Sequence, residues 1–154
     1  YDNEINESYV PYVVETSIGL DRMFLAILSS SYKEEELENN TGRVVLKIPP
    51  FLAPYKLAVL PLVKKDGLSE FAKKLFSELK LKYNATYDEK DAIGRRYRRQ
   101  DSVGTPICIT VDHETLIDGS VTLRNRDTML QNRVKIEDLN KNIDPFVNMS
   151  SFLK

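Results

Sequence analysis

An α/β domain with a mixed sheet is predicted for most of this chain, on three observations. Tyr55–Leu62 (Tyr-Lys-Leu-Ala-Val-Leu-Pro-Leu) is an almost unbroken apolar run. A strand apolar on both faces belongs in the middle of a sheet with helices on either side. A helical pattern and a second β-prone stretch follow, the order of a β-α-β unit. Farther on, Ile107–Val111 and Val121–Arg124 read as strands, and Asp118-Gly119 between them is a turn signal that predicts an antiparallel pair.

The elements follow in order. Tyr1–Tyr9 is polar and acidic and begins without Met, which reads as the cut edge of a larger protein. Val10–Val14 predicts a strand. Leu20, Met23, Phe24, Ile27 and Leu28 have the spacing of a buried helix face, so a helix is expected over 20–32. Leu25 and Ala26 are apolar on its other side, so in isolation it would expose a large apolar surface. Lys33–Gly42 is charged and Asn-rich, as in a surface loop. Arg43–Ile48 is a short strand stopped by Pro49-Pro50, and a domain boundary is expected here.

After the central strand, Leu68, Phe71, Ala72, Leu75, Phe76 and Leu79 form one stripe of a helix over 67–82, with Asp66 as its expected N-cap. Ala85–Asp88 is the next strand. A second helix is expected over 92–100, with Ile93 and Tyr97 on its buried side and Arg95, Arg96, Arg98 and Arg99 around them. Asp91 and Asp101 stand at helical spacing from Arg95 and Arg98, so local pairing is expected. Asn132–Ile136 adds an edge strand, and Glu137–Ile143 starts a last helix. From the central strand onward this makes a mixed five-stranded sheet flanked by about three helices, preceded by a strand and a helix.

With 154 residues, 42% hydrophobic and 29% charged, the composition is that of an ordinary globular protein. Cys108 is the one cysteine, which leaves no internal disulfide and fits a reducing, cytoplasmic setting. His113 is the one histidine, so no His-rich metal site is expected. No window is long and apolar enough for a membrane helix, and no membrane partner is expected. Residues 1–42 hold two basic side chains, Arg22 and Lys33, against nine acidic ones, so a chain of net charge −1 carries +6 on its remainder. Such a charge suits a polyanion or a solvated helix face.

Glu15-Thr16-Ser17-Ile18-Gly19-Leu20-Asp21-Arg22 resembles motif 3 of class II aminoacyl-tRNA synthetases. An ordered set then resembles the dimeric type of glycyl-tRNA synthetase: Leu52-Ala53-Pro54-Tyr55-Lys56, Tyr87-Asp88-Glu89-Lys90, Ile93–Asp101, Gly104-Thr105-Pro106, Thr110–His113 and Val121–Met129. The resemblance implies two parts. Residues 1–48 would be the C-terminal end of a catalytic domain, a strand and helix with motif 3. Residues 49–154 would be a class II anticodon-binding domain.

It also implies roles. Arg22 would grip ATP phosphate, for which a guanidinium fork is suited. Glu15 and Ser17 would contact the ammonium of glycine. Glu89, Lys90, Arg124 and Arg126, with Glu114, would meet the tRNA anticodon, bases by edge hydrogen bonds and stacking, backbone by cations. The whole enzyme would use ATP with Mg2+, charge tRNA(Gly) and form a homodimer. Motifs 1 and 2 do not occur in these residues, so no catalytic residue is assigned and no aminoacylation is expected of this chain alone. The alternative is a free-standing α/β RNA- or protein-binding module, which would not need residues 10–32. A flavodoxin-like nucleotide site is disfavoured, because Leu62–Gly67 has a single glycine where a phosphate loop would need several. Cys108 reads as a small core residue, and nothing beside His113 supports a nucleophilic site.

Overall fold

The computed structural model describes residues 1–37, 41–151 and 153. Its elements are α1 (Leu20–Ser31), β1 (Tyr32–Leu37), β2 (Thr41–Leu46), β3 (Leu57–Pro61), α2 (Leu68–Leu79), β4 (Ala85–Tyr87), α3 (Ile93–Val103), β5 (Ile107–Val111), α4 (His113–Asp118), β6 (Ser120–Asn125), β7 (Gln131–Lys135) and α5 (Leu139–Val147). Short 3₁₀ turns occupy Pro50–Leu52, Ile136–Asp138 and Met149–Ser151.

β3 to β7 form one mixed sheet in the order β4-β3-β5-β6-β7. β3 is parallel to both β4 and β5, whereas β5–β6 and β6–β7 are antiparallel. All five residues of β3 and all five of β5 are buried, which is why β3 reads as an unbroken apolar run. Alternation divides them between two layers. Leu57, Val59, Ile107, Ile109 and Val121 meet Leu68, Ala72, Leu75 and Leu79 of α2 and Leu139, Ile143 and Val147 of α5. Ala58, Leu60 and Cys108 face the other way, against Ile93 and Tyr97 of α3. Each large side chain so buried contributes roughly 1.5–3 kcal/mol of transfer free energy.

Several local expectations are corrected. Val10–Val14 forms no strand: it is exposed and has no ladder partner among the described residues. The charged stretch read as a loop supplies β1 instead. Tyr32 pairs with Leu46 and Glu36 with Gly42, so β1 and β2 are an antiparallel hairpin. A polar strand is admissible there because one face is open to water, while on the other Arg43 is buried and Val45 fully so. Residues 38–40, within that predicted loop, lie outside the described residues. The N-cap of α2 is Gly67, not Asp66. Both are left-handed (φ 77° and 62°), which turns the chain sharply from β3 into the helix. The connection from β5 to β6 contains α4 as well as the Asp118-Gly119 turn; Asp112 caps it, accepting from the Thr115 amide at 3.1 Å. The last helix begins later than expected and runs past Pro145, which stands inside α5.

α1 exposes Leu20, Met23, Phe24 and Leu25, the apolar surface expected of that segment. No helix among the described residues is long and apolar enough to cross a membrane.

Candidate nucleic-acid interface

The topology itself singles out one end of the sheet. From β3 the chain crosses by α2 to β4 on one side, then by α3 to β5 on the other. Such a switch leaves a crevice outside the carboxyl ends of the parallel strands. Three loops meet there: 62–67 after β3, 88–92 after β4 and the start of α4 after β5. His113 Nε2 lies 4.0 Å from Asp66 Oδ2, which joins the first loop to the third. The charge of Lys64 is felt at Glu89, which joins the first to the second.

Below this rim sits Arg96, 2% exposed. Its guanidinium donates to the carbonyls of Pro61 (2.5 Å), Leu62 (3.1 Å) and Asp88 (3.2 Å), tying the ends of β3 and β4 together. Burial presses its pKa down, against the opposing charge of Asp88. A cleft of about 430 Å³ opens beside it, lined by Leu62, Asp112, His113, Glu114, Thr122 and Arg133. Arg133 ion-pairs with Asp112 and lies 3.4 Å from Glu114 and 3.8 Å from Asp118. Burial would raise the Asp112 carboxyl, but Arg133 and the α4 cap hold it low, so it stays ionised.

The predicted anticodon residues divide in two. Glu89, Lys90 and Glu114 stand on the rim. Glu89 is partly buried, Lys90 is exposed, and the Glu114 side chain is 77% exposed. Arg124 and Arg126 do not reach it. Arg124 lies under α3: its two Nη atoms bind Asp101 at 2.8 and 3.0 Å, and its guanidinium stacks 4.7 Å from the Tyr97 ring. Arg126, 2% exposed, is held by Asp127 at 2.9 Å through two nitrogens and donates to the Gly104 carbonyl at 2.8 Å. In this structure both guanidiniums are enclosed and tie elements of the domain together. Both Nη atoms of Arg124 and all three nitrogens of the Arg126 guanidinium already donate to protein acceptors, and Asp101 is fully buried.

The arginine run of α3 is also reassigned. Asp91 pairs with Arg99, not Arg95, and Asp101 pairs with Arg43 and Arg124, not Arg98. Arg98 donates to the Gly42 carbonyl of the hairpin. Arg95 is exposed and makes no ion pair among the described residues, and the same holds for Lys64, Lys65 and Lys90. Sequence reasoning missed Lys64, Lys65 and Arg133 as rim residues. The Lys64-Lys65 pair directly after the central strand was the available signal.

No hydrogen bond or ion pair links Glu15, Ser17 and Arg22 among the described residues. All three are exposed, Ser17 does not cap α1, and Gly19 holds the N-cap position without a side-chain bond. Cys108 is 1% exposed beneath α3, with burial pushing its thiol up to about 12, so it is an inert core residue well apart in character from exposed His113. No cluster of metal-ligating side chains occurs among the described residues.

Residues 56–144 match the family described as an anticodon binding domain. The chain belongs to that family. This anticodon-binding domain spans the whole five-stranded sheet and α2 to α4, and it includes the rim. The chain is similar to glycine–tRNA ligases: 55% identical over 143 residues to that of Clostridium acetobutylicum, covering 93% of this chain and 30% of that protein. With the enzyme of Rhodopirellula baltica the identity is 53% over 142 residues, covering 90% and 26%. The chain thus spans about 30% of the length of the curated relatives it matches. Among solved structures it resembles the RNA binding domain of threonyl-tRNA synthetase from Cryptosporidium parvum Iowa II, with TM-score 0.59 and 23% identity over 66% of this chain and 26% of that one. That likeness shows the shared fold.

Proposed function

We propose that this chain is the tRNA-reading part of a glycine–tRNA ligase, and that its rim receives the anticodon loop of tRNA(Gly). One observation carries the reading. Lys64, Lys65, Lys90 and Arg95 are exposed cations without carboxylate partners among the described residues, and they share one end of the sheet with the acceptors Glu89 and Glu114. Unneutralised cations suit the phosphate backbone, and carboxylates suit the amino edges of splayed bases. The whole enzyme would activate glycine with ATP and Mg2+ and act as a homodimer. Glu15, Ser17 and Arg22 would then belong to a glycine and ATP site completed by residues beyond this chain. The division into residues 1–48 and 49–154 is part of the same proposal, with Arg43 reaching across it to Asp101 at 3.3 Å.

The test is binding of the chain to a tRNA(Gly) anticodon stem-loop, beside one with its two anticodon cytosines replaced, over a salt series. Preference for the cognate loop that persists as salt rises is expected. Equal binding to both, decaying steeply with salt, would reduce the rim to a basic patch and overturn base reading. Alanine at Lys90 should weaken both loops about equally and lower the salt slope by roughly one.

A further inference from the structure

Tyr87 is the last residue of β4, and its ring is fixed on three sides. It packs among the partly buried side chains of the α2 layer, lies 5.9 Å from the Phe76 ring, and has the Lys73 ammonium 5.8 Å from its centre. From that anchored ring the hydroxyl donates to Glu89 Oε2 at 2.6 Å. The same oxygen is 3.7 Å from Lys73 Nζ. Burial, with the neighbouring carboxylate, pushes the Tyr87 hydroxyl upward, so it remains a donor at every physiological pH. The bond from Tyr87 in turn holds the Glu89 carboxyl below the usual range, so it remains an acceptor.

The two oxygens of Glu89 therefore differ. Oε2 is committed to Tyr87. Oε1, in a side chain 30% exposed at the rim, has no hydrogen-bond partner within 3.5 Å among the described residues, although the buried Ser69 hydroxyl stands near the carboxylate and also lowers its pKa. An ionised carboxylate accepts and never donates. What it can recognise is an amino edge: the N4 amino group of cytosine donates to it, whereas the O4 carbonyl of uracil faces it with a second acceptor.

We infer that Tyr87 is a positioning residue that sets base specificity, orienting the free oxygen of Glu89 toward the exocyclic amino group of one anticodon cytosine. The inference rests on the anticodon reading above and deepens it. Tyr87 itself touches no base. It removes the rotational freedom of Glu89 before RNA arrives, so less ordering is required on binding.

The experiment compares the chain with Tyr87→Phe, Glu89→Gln and the double variant, each with the cognate stem-loop and with loops carrying uridine at each anticodon cytosine in turn. Phenylalanine keeps the ring contacts and deletes only the donor, and circular dichroism checks that the fold is kept. The expected result is a cytosine-over-uridine ratio of roughly tenfold at one position. Tyr87→Phe and Glu89→Gln should both lower it there, and the double variant should lower it no further. An undiminished ratio in Tyr87→Phe with a diminished one in Glu89→Gln overturns the positioning role. Undiminished ratios in both overturn base reading by Glu89 while leaving the anticodon reading in place. If the unaltered chain binds no stem-loop, the proposed function fails and this inference with it.

Discussion

Asp101→Asn should be among the most damaging single changes in this chain. The carboxylate is fully buried and accepts from Arg124 at 2.8 and 3.0 Å and from Arg43 at 3.3 Å. Those guanidiniums are themselves enclosed, with side chains 7% and 1% exposed. Arg43 has a second carboxylate, Glu35 at 2.7 Å, but Arg124 has none among the described residues. Asparagine conserves volume and one acceptor, yet turns an amide N–H toward a guanidinium and leaves a buried cation without its counter-charge. Breaking such a pair costs about 3–5 kcal/mol, and the retained carbonyl places this case near about 3 kcal/mol. In a chain of this size that lowers Tm by about 9 °C. Urea unfolding followed by circular dichroism gives the value directly. A loss under about 1 kcal/mol with an unchanged m-value would refute the reasoning, because Arg124 would then be satisfied some other way. Adding Arg124→Leu to Asp101→Asn should recover part of the loss, since it removes the stranded charge along with its partner.

Three further outcomes are expected. Gly104→Ala should destabilise by about 3 kcal/mol, because at φ 87° the new Cβ would lie 2.9 Å from Ile48 Cγ2 and 3.0 Å from the Leu46 carbonyl; Gly119→Ala, equally left-handed but with open space around it, should lose only about 1 kcal/mol in the same urea series. Cys108 should resist a thiol reagent in the native state and react at the rate of global opening, which timed labelling against unfolding kinetics would check. The Asp144 carboxyl is held below its usual range by Lys82 and then by Tyr83. Its contribution to stability is thus full above the unfolded value of about 3.9 and disappears as pH falls through the lower folded value. Lys82→Met should flatten that part of an acid titration, and an unchanged acid limb would count against the pairing.

Much of the domain was legible because its central strands are buried on both faces. Tyr55–Leu62 and Ile107–Val111 advertise themselves by lacking polar positions, and the stripe Leu68–Leu79 by its period. What was not legible depended on partners far along the chain. Lys33–Glu36 has loop composition, yet it pairs with Gly42–Val45, a strand anchored by Arg43 to Asp101, 58 residues away. Val10–Val14 has strand composition but no neighbour to pair with among the described residues. Strand propensity describes fitness for a pleated surface, and whether that surface exists is decided elsewhere.

The same dependence governs the charges, and it alters how a basic patch is to be read. Arg95, Arg96, Arg98 and Arg99 are adjacent in sequence, yet the helix sends them to four environments. Arg96 goes beneath the sheet to cap strand carbonyls, Arg98 to the hairpin, and Arg99 to Asp88 and Asp91, while Arg95 alone is left facing water without a partner among the described residues. Arg124 and Arg126 carry the same guanidinium as any RNA-reading arginine, but their Nη atoms are already bound to protein acceptors. A positive charge can bind a polyanion only if the fold has not neutralised it. By that criterion Lys64, Lys65, Lys90 and Arg95 are the exposed cations of the rim without a carboxylate partner among the described residues, and the proposal assigns the RNA backbone to them rather than to Arg96, Arg99, Arg124 and Arg126.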